Sequence, residues 1–214
     1  MTLLTAPAFF AGLVLSLSLI MSIGPQNTHV IRLGLLGQHL WLTIAICISA
    51  DIALIAVGVG GLAQLGGLSD RLIHVMTGAG ALMLLVYGAQ ALQRFVRPPT
   101  AAAPALVPAA PAAAPTLSRR QAIGLALALS WLNPLAWLDT AVLIGAASLA
   151  YAQPENTLFG AGAAAGSVLW FSALGLLMWT LGRRLNSPRF WRALDALVAV
   201  MMGGTALRLL AGLL

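Results

Sequence analysis

Lysine is absent from this chain and acids are scarce: eleven basic residues, all Arg, stand against five Asp and Glu in 214 positions. Charged residues make up 7% of the chain, whereas a soluble domain carries roughly 25%. A water-facing surface cannot be assembled from that supply, which excludes a soluble enzyme, a secreted disulfide scaffold and a disordered tail. The lone Cys47 excludes an internal disulfide, a thiol–disulfide relay and any metal site built from several thiolates. No basic residue precedes Arg32, so the charged start of a cleaved signal peptide is missing, and the first apolar segment reads as a membrane span. The net charge of +6 and the pI near 11.4 do not indicate nucleic acid, because no aromatic side chains interleave with the Arg residues as a stacking platform.

Apolar residues are abundant: 60% of the chain is hydrophobic and the mean hydropathy is +0.96. A membrane helix needs about 20 mostly apolar residues, and six stretches qualify, near 8–35, 39–63, 72–95, 121–149, 157–181 and 194–213. Their connections are short except one. Residues 98–116 are almost entirely Ala and Pro and hold six of the eleven prolines, a composition that cannot form a core and favours a stiff, extended linker. The expectation is an all-α integral membrane protein with a first three-helix repeat at 1–97, an Ala/Pro-rich linker at 98–118 and a second repeat at 119–214. Arg32, Arg94, Arg97, Arg119, Arg120, Arg183, Arg184, Arg189 and Arg192 fall on one side of these spans, and only Arg71 and Arg208 on the other. The excess of positive charge predicts a cytoplasmic linker and both termini outside.

An odd number of spans per half requires that any repeat be inverted. Spans one and four are both long, and each carries a proline pair near its middle, Gly24-Pro25 and Asn133-Pro134. Matched interruptions in two halves are the best sequence pointer to a transporter's binding site. Proline lacks an N–H and collides with the carbonyl four residues back, so Pro25 is expected to free the carbonyl of Met21 and Pro134 that of Ser130. A freed carbonyl in hydrocarbon costs several kcal/mol unless it is buried in protein or lines a wet cavity. Ser22, Gln26 and Asn27 beside one break, and Ser130, Asn133 and Thr140 beside the other, supply polar partners. Half-helix ends add partial charges that suit a ligand bearing both an ammonium and a carboxylate, and equally small ions.

The five acids divide by position. Asp70, Glu155 and Asp195 lie at expected span ends, where loop or cap roles are the default. Asp51 lies near the centre of span two, and Asp139 is about 7 Å along a helix from Pro134. An acid within the bilayer faces an interior cavity or a partner. These two read as a cation subsite, a proton-coupling group, or both, with a buried ion pair as the alternative. Arg32 is the nearby cation, expected to snorkel to the interface. Gly160, Gly162, Ala164 and Gly166 form a small-residue stripe for close helix packing, as do Gly58, Gly60, Gly61, Gly78 and Gly88. Trp41, Trp191 and Tyr151 read as interfacial aromatics. His29, just past the first break, reads as a proton relay or a satisfied interior side chain.

Ser22-Ile23-Gly24-Pro25-Gln26-Asn27, continuing through Arg32 and Gly34 to Gln38-His39, resembles the first-span signature of the lysine/arginine exporter family (LysE/ArgO type). Ser49-Ala50-Asp51 resembles its acidic second span, and Trp131-Leu132-Asn133-Pro134 with Leu138-Asp139-Thr140 resembles its fourth-span motif. The resemblance runs in order along nearly the whole chain. It implies a bacterial inner-membrane exporter of basic amino acids, with Gly24, Pro25, Gln26, Asn27, Asp51, Asn133, Pro134, Asp139 and Thr140 as the substrate site. Exporters of neutral amino acids share that architecture, and the acidic pair is what favours a cation.

The function expected is therefore a secondary transporter exporting L-arginine or L-lysine by alternating access, coupled to protons or to the membrane potential. Asp51 and Asp139 are the proton-coupling candidates. Neutral amino acids, another small metabolite or a metal cation on the same fold are the alternatives, although no His/Cys/Asp cluster has metal-ligand spacing. An intramembrane aspartyl protease using both acids is the rival from another class; neither Asp sits in a Gly-x-Gly-Asp setting. No enzyme activity, cofactor or nucleic acid is expected. The partners are a small amino acid and the lipid bilayer, and a homo-oligomer is compatible with the chain.

Overall fold

The computed structural model describes residues 6–22, 24–62, 69–96, 117–185 and 187–213. The Ala/Pro linker lies outside them except for Leu117 and Ser118, as does Arg97. Among the described residues every regular element is helical. In chain order these are α1 (Ala6–Ile20), α2 (Pro25–Leu36) and α3 (Leu40–Val57), the last running on as a π segment over Gly58–Leu62. Then come α4 (Asp70–Val96), α5 (Arg119–Trp131), α6 (Pro134–Ala136), a π segment (Trp137–Leu143) and α7 (Ile144–Ser148). The long α8 (Glu155–Leu185) and α9 (Pro188–Ala211) complete the chain. Among the described residues four helices are long and apolar enough to cross a membrane, and the number is up to six if each of two bent pairs is one span.

Local signals fix the element ends. Gly37 closes α2 with φ of 66°, a left-handed conformation natural to glycine. Ser118 and Gln121 form a reciprocal capping box at the start of α5. Ser187 caps α9, its hydroxyl accepting from the Phe190 N–H at 3.3 Å, and Pro188 follows at the first helical position. That cap starts α9 at 188 rather than near the expected 194, so Asp195 lies two turns inside the helix and not at its end.

Packing divides the bundle. α1 runs along α8, and α4 runs along α9. The α1–α8 approach is backbone-close because its surfaces are small: a Cβ built on Gly162 or on Gly12 would collide with the Phe9 or Phe159 carbonyl respectively. Gly166 similarly abuts Ser16, and Gly58 meets Ala141 and Gly145 across the two π-containing rods. Gly60 and Gly61 face no neighbour among the described residues, where a packing role is expected of them. One apolar core holds α4 and α9 together with Leu35 of α2, and another joins Val30 of α2 to α3 and α8. Trp191 belongs to the first core and is 1% exposed, so it is a packed side chain and not an interfacial one. It fills the space beneath a guanidinium, a role that an aromatic-belt reading cannot anticipate.

Contacts among Gln38 and Leu117, Gly34 and Gly182, and Arg94 and Asp195 bring several helix ends together. These are the C-terminal ends of α2, α4 and α8 and the N-terminal ends of α5 and α9. The Arg residues near those ends make this the Arg-rich end of the molecule.

Candidate functional site

Two changes of direction build the site. The axes of α1 and α2 differ by 72°, and those of α5 and the rod beginning at Pro134 by 52°. In both places proline occupies the first position of the second helix, where its missing N–H costs nothing and its fixed φ suits a helix start. The chain thus ends one helix and begins another instead of kinking a continuous one. Side chains bond to carbonyls next to the breaks. The Asn27 side-chain amide donates to the carbonyls of Ile20 and Ser22, both at 2.7 Å. The Trp137 indole N–H donates to the Trp131 carbonyl at 2.9 Å. The expected carbonyls, those of Met21 and Ser130, are not the ones these side chains serve. The Ser22 hydroxyl instead bonds back to Leu19 in the last turn of α1, and the Ser130 hydroxyl to Ala126 within α5.

The first turn of α2 and the first turn after Asn133 open onto one cavity of about 60 Å³. Gly24, Pro25, Gln26, Asn27, Asp51, Asn133, Asp139 and Thr140 line it, joined by Ser22, Leu19, Ile20, Leu135, Ala136 and Phe171. Pro134 is the sequence-predicted residue that does not line it; its ring lies toward α4 near Gly80. Asn133 caps the new helix, its side-chain oxygen accepting from the Leu135 N–H at 3.1 Å. A water needs roughly 10–15 Å³ of such space, so the cavity has room for a few waters. An amino acid with a long side chain requires it to widen.

Asp51 sits 3% exposed on α3. The Ser167 hydroxyl of α8 donates to its Oδ2 at 2.7 Å, and the Gln26 amide donates to its Oδ1 at 3.4 Å. Gln26 also donates to the Ser130 hydroxyl at 3.1 Å, tying α2, α3 and α5 at one point. Asn27 accepts the Trp170 indole N–H from α8 at 3.0 Å. Asp139 is half-buried and has no hydrogen-bond or ion-pair partner among the described residues. No Arg or His is among the described lining residues. The cavity therefore presents two carboxylates to dipoles alone, with the uncapped N–H groups of the α2 start nearby.

Sequence reasoning missed Ser167 and Trp170. Both follow the small-residue stripe of α8, whose packing periodicity masks a lone hydroxyl and a lone indole. Cys47 packs in the apolar core with Val30 and Phe171, as a small hydrophobe does. No group of three metal-ligating side chains occurs among the described residues.

Arg32 departs most from expectation. It does not snorkel; its side chain is fully buried. Its guanidinium pairs with Asp195 of α9 and lies over the Trp191 ring, 5.2 Å from the centroid. Arg94 of α4 donates its Nε–H to the same carboxylate oxygen at 3.1 Å. Asp195, expected to be solvated, is the anion of this buried cluster. The physical reason is mutual: each charge makes burial of the other tolerable.

Among the described residues the chain is helical, with several membrane-length apolar helices and a polar cavity walled by helix ends and acids, and its family places it among membrane transporters and not enzymes. More specifically, the chain belongs to the LysE type translocator family, whose model matches residues 17–212. A protein of Mycobacterium tuberculosis named "Putative amino-acid transporter" is 39% identical over 193 residues, which is 89% of this chain and 90% of the relative. The lysine exporter LysE of Corynebacterium glutamicum is 30% identical over 94% of this chain and 97% of its own length. The arginine exporter protein ArgO of Pectobacterium carotovorum is 34% identical over 94% of this chain and 95% of its own length. No solved structure matches the chain.

Proposed function

We propose that this protein exports basic amino acids, L-arginine or L-lysine, across the bacterial inner membrane by alternating access. The observation that carries the reading is the cavity itself. Eight of the nine residues proposed as the substrate site, from Gly24 to Thr140, surround one space in which two carboxylates meet no cation. A guanidinium or ammonium side chain supplies the missing charge. The helix start at Pro25, with the backbone N–H groups of Gln26 and Asn27 that no side chain caps, suits the substrate's carboxylate. Relatives named as exporters of lysine and of arginine support the choice of cargo.

In this reading each bent helix pair is one interrupted span, giving six spans in two inverted halves, residues 1–97 and 119–214. The exchange of packing partners supports it. The first pair packs on α8, the middle helix of the second half, while the second pair, α5 with the rod from Pro134, packs on α3, the middle helix of the first. The third helices, α4 and α9, pack on each other. The Arg-rich end faces the cytoplasm and both termini lie outside.

Export of a cation against an inside-negative potential is opposed by about 2.3 kcal/mol per 100 mV. Tenfold accumulation inside supplies only about 1.4 kcal/mol. Proton entry on Asp51 or Asp139 covers the difference, since either carboxylate can carry a proton in one direction and face a substrate cation in the other. The test is efflux of labelled arginine from proteoliposomes, with and without a pH gradient and with lysine, threonine or divalent ions as competitors. Gradient-driven efflux inhibited by lysine supports the proposal. Inhibition by threonine or by metal ions, with lysine inert, refutes the cationic cargo.

A further inference from the structure

Outside the cavity, the most unusual chemistry is the charge cluster at the Arg-rich end. We propose that Arg32, Asp195 and Arg94 form a conformational latch that closes this end of the carrier and opens to admit substrate from that side. The inference rests on the transport reading and adds a gate to it.

Three observations support a latch. The first is placement. α2 carries Gln26 and Asn27 at the cavity and Arg32 six residues further on, about 9 Å along the helix. Its Val30 packs with α3 and α8, whereas its Leu35 packs with α4 and α9. Arg32 therefore lies between two packed bodies, and Asp195 and Arg94 belong to the second. A movement of α4–α9 relative to α2 breaks the cluster and tilts the element that holds the site.

The second is composition. One Asp195 oxygen accepts from two guanidinium groups, so the cluster carries a surplus positive charge. Arg94 keeps some contact with solvent while Arg32 has none. Such a cluster can exchange protein partners for water on one side first.

The third is His29, one turn before Arg32. It is 1% exposed, and neither ring nitrogen has a hydrogen-bond partner among the described residues. Buried polar groups are normally satisfied, and an exception calls for an explanation. Here the closed arrangement gains the ion pairs but leaves both imidazole nitrogens without a protein partner, and opening reverses both. Two arrangements with opposing terms of this kind can be balanced, as a gate requires.

The experiment uses the full chain in lipid nanodiscs, with Cys47→Ala and a reporter at Leu35→Cys, whose parent side chain is buried beside Trp191. A water-soluble maleimide reads how often this junction opens. Asp195→Asn is expected to raise the labelling rate about tenfold, and Asp195→Glu to restore it to within about threefold of the parent, since labelling follows the open population. A second reporter, Ala163→Cys in the α1–α8 contact, stays unlabelled throughout. Where Asp195→Asn fails to fold, Arg94→Gln replaces it, with an expected rise of about threefold. Unchanged labelling in a folded variant overturns the latch. So does an equal rise at both reporters, which describes a general structural staple. Asp195-dependent labelling in a protein that carries no amino acid keeps the latch and refutes the carrier reading; normal arginine efflux with unchanged labelling does the reverse.

Discussion

Asp51 and Asp195 are both buried carboxylates on long apolar helices, yet they live in opposite electrostatic settings. Asp195 at the Arg-rich end meets two guanidinium groups. Asp51 at the cavity meets a hydroxyl and an amide, with no cation in contact. Burial of a charge demands compensation, and the two sites obtain it differently. At the Arg-rich end the protein supplies the counter-charge itself and gains a junction between helices. At the cavity it supplies dipoles only and leaves the counter-charge to a visitor or a proton. The difference teaches that an acid in a membrane helix cannot be assigned by burial alone; the charge of what it faces decides whether it binds the fold or the cargo.

Exchanging the two acids for their amides is the sharpest way to break this comparison. Asp195→Asn leaves two neighbouring Arg side chains without an anion, so folded stability should fall by about 3–5 kcal/mol, the usual loss on breaking a buried pair. Chemical denaturation or thermal inactivation in detergent checks it. Asp51→Asn removes a charge that has no cationic partner, so stability should be unchanged or higher. Arginine transport should nevertheless drop by about ten- to a hundredfold, corresponding to one charged hydrogen bond of roughly 1.5–3 kcal/mol. If both substitutions destabilise alike, the proposed division of roles is wrong.

Smaller changes refine the cavity side. Ser167→Ala removes the short hydroxyl bond to Asp51, and substrate affinity should weaken about five- to tenfold, near 1 kcal/mol. Ser167→Thr, which keeps the donor, should recover most of it. Trp170→Phe removes the indole donor to Asn27 while keeping the ring. The expected effect is a few-fold loss of transport rate, about 0.5–1 kcal/mol, from a looser Asn27 hold on the Ile20 and Ser22 carbonyls. Equilibrium binding of labelled arginine separates these two cases, since the first acts on affinity and the second on rate.

Much of the cavity was legible in the sequence because its residues are anomalies there. Proline inside an apolar span and aspartate near the centre of one have few structural uses, so Pro25, Pro134, Asp51 and Asp139 stand out without coordinates, and the prolines point to their neighbours at the cavity. What the break does to the backbone was less legible. A proline can kink a helix or start a new one, and only the structure shows that Asn27 and Trp137 serve the carbonyls of Ile20, Ser22 and Trp131. The Arg-rich end was misread for another reason. Arg32 and Asp195 are 163 residues apart, and each in isolation has a solvated reading. Only the fold brings them together over Trp191, whose own reading as an interfacial aromatic failed with theirs. Ser167 and Trp170 were hidden because the packing stripe before them dominates the pattern of α8.

The most direct measurement of the central claim compares arginine with citrulline, its uncharged isostere, in equilibrium binding to the purified protein. The wild-type chain should bind arginine at least about tenfold more tightly, a difference of about 1.4 kcal/mol. In Asp51→Asn combined with Asp139→Asn that preference should collapse to near one. A preference for arginine that survives the loss of both carboxylates would contradict the account, because the cavity would then recognise its cargo by something other than the charge it leaves unpaired.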